Sequence, residues 1–162
     1  MAELVRVVSL GVGATLVMDG WSLGLRRLLG ISTLDYRLVG RWIGHFPKGR
    51  FTHDPIVQSP PVAGEKWFGW VAHYAIGIGF AWAFSLLMVP DWFDSPTPQP
   101  PILFGLVTVL VPFLVMQPAL GFGVAASRTP DPLSARLRSL ATHAVFGLGL
   151  YLSALPLAQF AG

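Results

Sequence analysis

Four strongly polar side chains, Asp19, His73, Gln117 and His143, stand inside stretches of this chain that are otherwise almost wholly apolar. A carboxylate, two imidazoles and a carboxamide can together move a proton, hold an ion or hydrogen-bond a small polar solute. A polar group inside hydrocarbon is expensive and usually faces a partner or a cavity. A buried aspartate without a partner becomes neutral, whereas a neighbouring imidazole keeps the pair charged or shares one proton with it. The plainer use of the same four residues is to hydrogen-bond helix to helix, at about 0.6 kcal/mol per contact.

The elements that must position them are membrane spans. Of the 162 residues, 53% are hydrophobic and 12% charged, against roughly 25% charged in soluble domains. Mean hydropathy is +0.60. A span needs about 20 mostly apolar residues, and four stretches qualify, at about 4–25, 67–89, 102–126 and 139–158. The expected fold is an all-α membrane protein, a single four-helix transmembrane domain over 1–162. Arg6 precedes an apolar run, but Asp19 interrupts it and no small-residue cleavage pattern follows, so the first span reads as uncleaved.

Charge gives the expected orientation. Ten of the eleven basic residues, all but Arg6, fall in the first and third connections or at their edges. The second connection carries Asp91 and Asp94 and no base. The positive-inside rule then places the first and third connections in the cytoplasm and both termini in the periplasm. Nothing supports nucleic acid as a partner, because the net charge is only +3 and no long basic run is present. In the first connection Leu34, Leu38, Val39, Trp42, Ile43 and Phe46 recur at helical spacing, which predicts an amphipathic helix at the membrane surface holding anionic lipid through Arg and Trp.

The spans pair as two halves. His73-Tyr74-Ala75-Ile76-Gly77-Ile78-Gly79 and His143-Ala144-Val145-Phe146-Gly147-Leu148-Gly149 share one spacing, and Leu16-Val17-Met18-Asp19 matches Leu114-Val115-Met116-Gln117. The halves read as parallel-repeat helical hairpins. At 1.5 Å per residue, Asp19, His73 and His143 lie about 8–10 Å inward of Arg26, Lys66 and Arg138, and Gln117 up to roughly 16 Å inward of Arg128. All four can meet in the cytoplasmic half. Gly77 and Gly147 either let helices approach or leave room for a planar group.

Other chemistry is thin. With no cysteine there is no disulfide, thiolate site or cysteine nucleophile, and no phosphate loop or dinucleotide fingerprint occurs. A metal would rest on two His and one Asp without a local signature, so no resident cofactor is expected, with haem b or a metal ion as the alternatives. Asp131-Pro132 reads as the cap and first turn of the fourth helix. The turn-rich segment from His45 through His53 and Asp54 can fold over the cytoplasmic mouth, which Arg41 and Arg128 would also line.

The segments Leu38-Val39-Gly40-Arg41-Trp42, Gly44-His45-Phe46-Pro47-Lys48-Gly49-Arg50-Phe51, Pro61-Val62-Ala63-Gly64-Glu65, Ala72-His73-Tyr74-Ala75-Ile76-Gly77, Met116-Gln117-Pro118-Ala119-Leu120-Gly121 and Ser127-Arg128-Thr129-Pro130 resemble a bacterial integral membrane family catalogued as domain of unknown function 2938. The resemblance implies a four-helix inner-membrane protein and brings no activity with it. Three readings of function stay open. The leading one is a cytoplasm-facing polar pocket that binds or transports a small polar solute, ion or proton. The second is a redox protein with His73 and His143 as ligands of a b-type haem. The third is an accessory subunit, in a homo-oligomer or a larger membrane complex, with no site of its own.

Overall fold

The computed structural model describes residues 1–31 and 34–159. Among them every regular element is helical: α1 Ala2–Leu29, α2 Tyr36–Gly44, α3 Glu65–Leu87, α4 Pro90–Asp94, α5 Gln99–Ala119 and α6 Pro132–Gln159. Short 3-10 turns lie at Phe46–Lys48, Ile56–Gln58 and Val124–Ala126. Four of the described helices, α1, α3, α5 and α6, are long and apolar enough to cross a membrane. Their outward faces suit lipid, with Trp67, Trp82, Leu86 and Leu114 all more than half exposed. Helices apolar all round belong in a bilayer or a large core.

The helix ends differ from the expected spans for local reasons. α1 continues through Arg26 and Arg27, whose charges suit a helix C-terminus, and stops where Gly30 turns left-handed at φ 65° and donates to the Leu25 carbonyl. α5 ends at Ala119, short of 126, because Gly121 and Gly123 take φ 85° and 76°. α6 starts at Pro132, where the Asp131-Pro132 pair predicts its first turn and so ahead of the apolar span at 139, with the Asp131 carboxylate accepting from the Ser134 N–H at 3.2 Å. Inside α5, Pro112 has no N–H to give, and the turn widens into a π-helical stretch over Pro112–Met116.

The chain groups into two compact units. The first holds Met1–Thr33, Tyr74–Thr108 and Leu140–Gly162, and so α1, most of α3 and α6, and the first part of α5. Its core is Val7, Leu10, Ala14, Ala81, Phe84, Trp92, Phe93, Phe146, Leu150 and Ala154. Glycines set the helix spacing. A Cβ on Gly11 would lie 2.5 Å from the Ile78 Cα, and one on Gly147 2.7 Å from the Ile102 Cα, so α1 meets α3 and α5 meets α6 backbone to backbone.

The second unit holds Leu34–His73 and Val109–Ser139. Here α2 packs on the start of α3. Gly40 has no room for a Cβ because the Glu65 carbonyl fills the space, and Gly69 is similarly closed by the Tyr36 carbonyl. Asp35 caps α2 by accepting from the Arg37 N–H at 3.0 Å. Trp42 donates through Nε1 to the Phe51 carbonyl at 2.7 Å, tying the helix to the loop beyond it.

Candidate functional site

Of the four polar residues within the helices long enough to span a membrane, Asp19 and His143 belong to the first unit, His73 and Gln117 to the second. Asp19 accepts a hydrogen bond from the Tyr74 hydroxyl at 2.9 Å. His143 uses Nδ1 on the Thr108 hydroxyl at 2.8 Å, and that hydroxyl donates onward to the Gly105 carbonyl at 2.6 Å. Gly77 is filled by Thr15 and Gly147 by the Pro101 carbonyl, so these glycines bring helices together and hold no space for a planar ring. His73 is buried under Tyr36, the two rings stacked at 3.9 Å, with Trp70 edge-on at 5.7 Å. Neither Tyr36 nor Tyr74 was legible as a partner in the sequence, although Tyr74 adjoins His73.

The loop residues make a tighter arrangement. Arg41 clamps Glu65 through two hydrogen bonds, Nε to Oε2 at 2.8 Å and Nη2 to Oε1 at 2.9 Å, and donates a third to the Ser59 carbonyl at 3.1 Å. Glu65 holds the Arg41 guanidinium above its usual pKa. Glu65 also reaches back to the Val62 N–H at 3.1 Å, so one carboxylate fixes both the start of α3 and the end of the loop.

Ser59 links this clamp to one of two buried histidines. His45 closes α2, and its ring sits 5.0 Å from that of His53, tilted by 31°. His45 is 2% exposed and His53 7%. His53 is held three ways: its N–H donates to the Ala119 carbonyl at 2.9 Å, its own carbonyl lies against Gly121, and Nδ1 pairs with the Ser59 hydroxyl at 2.8 Å. Burial pushes the His53 pKa down, assisted by the neighbouring charges of His45 and Arg50, so its imidazole is neutral near pH 7. Three side-chain atoms in this unit are sealed from solvent without a hydrogen-bond partner among the described residues: His45 Nδ1, His53 Nε2 and Gln117 Oε1.

Farther along the second unit the backbone is strained. Ala125 and Ala126 take φ 47° and 58°, a conformation costing about 1–2 kcal/mol per non-glycine residue. They are pinned by the Arg136 guanidinium on the Ala125 carbonyl at 2.7 Å and the Thr129 hydroxyl on the Ala126 carbonyl at 2.8 Å. Outside lies an open recess of 330 Å³ lined by Asp54, Pro55, Val57, Gly121, Phe122 and the Arg128-Thr129-Pro130 turn. Arg128 and Asp54 face each other there at 3.5 Å, both largely exposed, a geometry that contributes little to stability.

The family model described as "Protein of unknown function (DUF2938)" matches residues 8–157, which include every residue of this arrangement. The chain belongs to that family. No curated protein and no solved structure matches it. Membership of DUF2938 accords with four helices long and apolar enough to cross a membrane and adds no chemistry, so the site of this DUF2938 chain is read from its own geometry. Among the described residues no group of three or more His, Asp or Glu side chains is placed to hold a metal ion.

Proposed function

We propose that this chain is a multi-pass protein of the bacterial inner membrane that binds, and passes across the bilayer, a small polar solute, ion or proton at a cytoplasm-facing site in its second unit. The observation that carries this reading is the set of unpartnered, sealed atoms on His45, His53 and Gln117. A buried polar atom left unpaired costs about 1–3 kcal/mol, so natural proteins keep few of them. Three in one unit, on side chains rich in lone pairs, fit a place reserved for a ligand. Asp19 and His143 would then serve as interhelical hydrogen bonds that hold the spans, each already having a partner on another helix.

The direction we propose, with the His45–His53 end in the cytoplasm and both termini in the periplasm, is supported by the basic residues at the end of α1, at the start of α6 and in the loops between α1 and α3 and between α5 and α6. Fusions of a periplasm-dependent reporter between α3 and α5 should be active. Activity there from a cytoplasm-dependent reporter would reverse the orientation.

Binding is tested on the purified full chain in detergent by its unfolding midpoint, with Na⁺, NH₄⁺, Zn²⁺, phosphate and urea as probes. At least one should stabilise the wild type and leave His53→Gln and Gln117→Leu unmoved. No stabilisation by any probe, or equal stabilisation of both variants, would remove the site.

A further inference from the structure

His45 and His53 reach each other from different elements, one at the end of α2 and the other beyond the Phe46–Lys48 turn. The backbones of both residues are hydrogen-bonded and both side chains are buried. The arrangement at His53 has a particular sense. A metal-bound imidazole usually gives its other ring nitrogen to a second group, which sets the tautomer and aims the free lone pair. Here Nδ1 is on the Ser59 hydroxyl at 2.8 Å while Nε2 is sealed and unbonded. At His45 the sealed, unbonded atom is Nδ1.

Distance selects among ions. An ion about 2.0–2.1 Å from a ring nitrogen lies roughly 3.2 Å from that ring's centroid. With centroids 5.0 Å apart, two such bonds from nitrogens facing one ion would meet at an angle of about 103°, close to tetrahedral. A linear two-coordinate ion would need the centroids roughly 6.4 Å apart by the same bond lengths. Calcium and magnesium want oxygen donors in larger sets, whereas imidazole suits zinc, copper, iron and nickel. Since no third His, Asp or Glu joins the pair among the described residues, the remaining positions would be taken by neutral oxygen or by water. Open positions are what a site that exchanges its occupant keeps, in contrast to a closed structural zinc site.

We propose that His45 and His53 are two ligands of a divalent transition-metal ion of the zinc type, bound in tetrahedral geometry with exchangeable positions. This rests on the reading of the second unit as a binding site and names its occupant. Two sealed ring nitrogens without a hydrogen-bond partner among the described residues, on imidazoles whose centroids are 5.0 Å apart, are better matched by a metal than by a hydrogen-bonded organic solute.

The test uses tag-free full-length protein in detergent, stripped with a chelator and titrated with Zn²⁺ against a chromophoric competitor. The wild type should take up one Zn²⁺ per chain. His45→Ala and His53→Ala should each weaken binding by about tenfold or more, while His143→Ala, in the other unit, should not change it. Zinc-edge X-ray absorption on the wild type should show imidazole scatterers at about 2.0 Å; this measurement needs no variant and survives any misfolding of the two alanine forms. Absence of stoichiometric zinc, wild-type affinity in both variants, or a spectrum without imidazole would overturn the proposal. Should zinc fail while another probe stabilises the protein in a His53-dependent manner, only the metal is lost; should every probe fail, the binding site itself falls with it.

Discussion

Arg41 and Glu65 are joined by two parallel hydrogen bonds of 2.8 and 2.9 Å, with side chains only 12% and 14% exposed. This pair fixes α2 against the start of α3, and Arg41 also holds the carbonyl of Ser59, whose hydroxyl pairs with His53. Glu65→Gln should lower stability by about 2–3 kcal/mol, because it leaves a part-buried guanidinium short of its acceptor. A double-mutant cycle with Arg41→Met should return a coupling of at least ~1 kcal/mol. Additive single effects would mean that the clamp is incidental.

Glycine positions should separate sharply. At Gly121 the backbone is left-handed at φ 85° and a Cβ would lie 2.6 Å from the His53 carbonyl, whereas nothing approaches the Cβ position of Gly79 within 4 Å. Gly121→Ala should therefore destabilise by about 1–3 kcal/mol and displace His53. Gly79→Ala should be neutral or stabilise slightly, as alanine is the better helix former by about 1 kcal/mol. Unfolding midpoints of the two variants compare them directly; similar midpoints would contradict the tight contact at Gly121.

Much of the fold was legible in the sequence, and most of the site was not. Length and hydropathy are summed along each helix, so four spans and the charge asymmetry of the loops survive any error in a single residue. α5 ends short of 126 although apolar composition continues past Ala119, and that Gly121 and Gly123 stop the helix is settled only by their left-handed backbone. Arg41 and the His45 to Asp54 segment stood out by residue type. Their partners did not. Glu65 lies 24 positions from Arg41 and Thr108 35 from His143, and only the folded backbone brings such groups within hydrogen-bond range. Sealed, unpaired atoms have no sequence signature at all.

The pH dependence of stability should carry a term from His53. Its folded-state pKa lies below the ordinary value of 6.5 because burial opposes the charged form. The stabilisation this represents is complete above pH 6.5 and is lost as pH falls through the lower folded-state value, since the unfolded chain then binds the proton more readily. His53→Gln should show a shallower loss of unfolding midpoint between pH 7 and acid than the wild type. Parallel curves for the two proteins would remove His53 from the account.

The central claim is that the His45 imidazole is kept for a ligand and not for the fold, and His45→Leu in ligand-free protein tests it most directly. Its ring is 2% exposed and Nδ1 has no partner among the described residues, so an apolar side chain of similar volume removes an unsatisfied group at little loss of packing. The account predicts an unfolding midpoint equal to or above that of the wild type, with stabilisation by added ion or solute abolished. A loss of about 2 kcal/mol or more in the ligand-free protein, or ligand-linked stabilisation that persists, would contradict it.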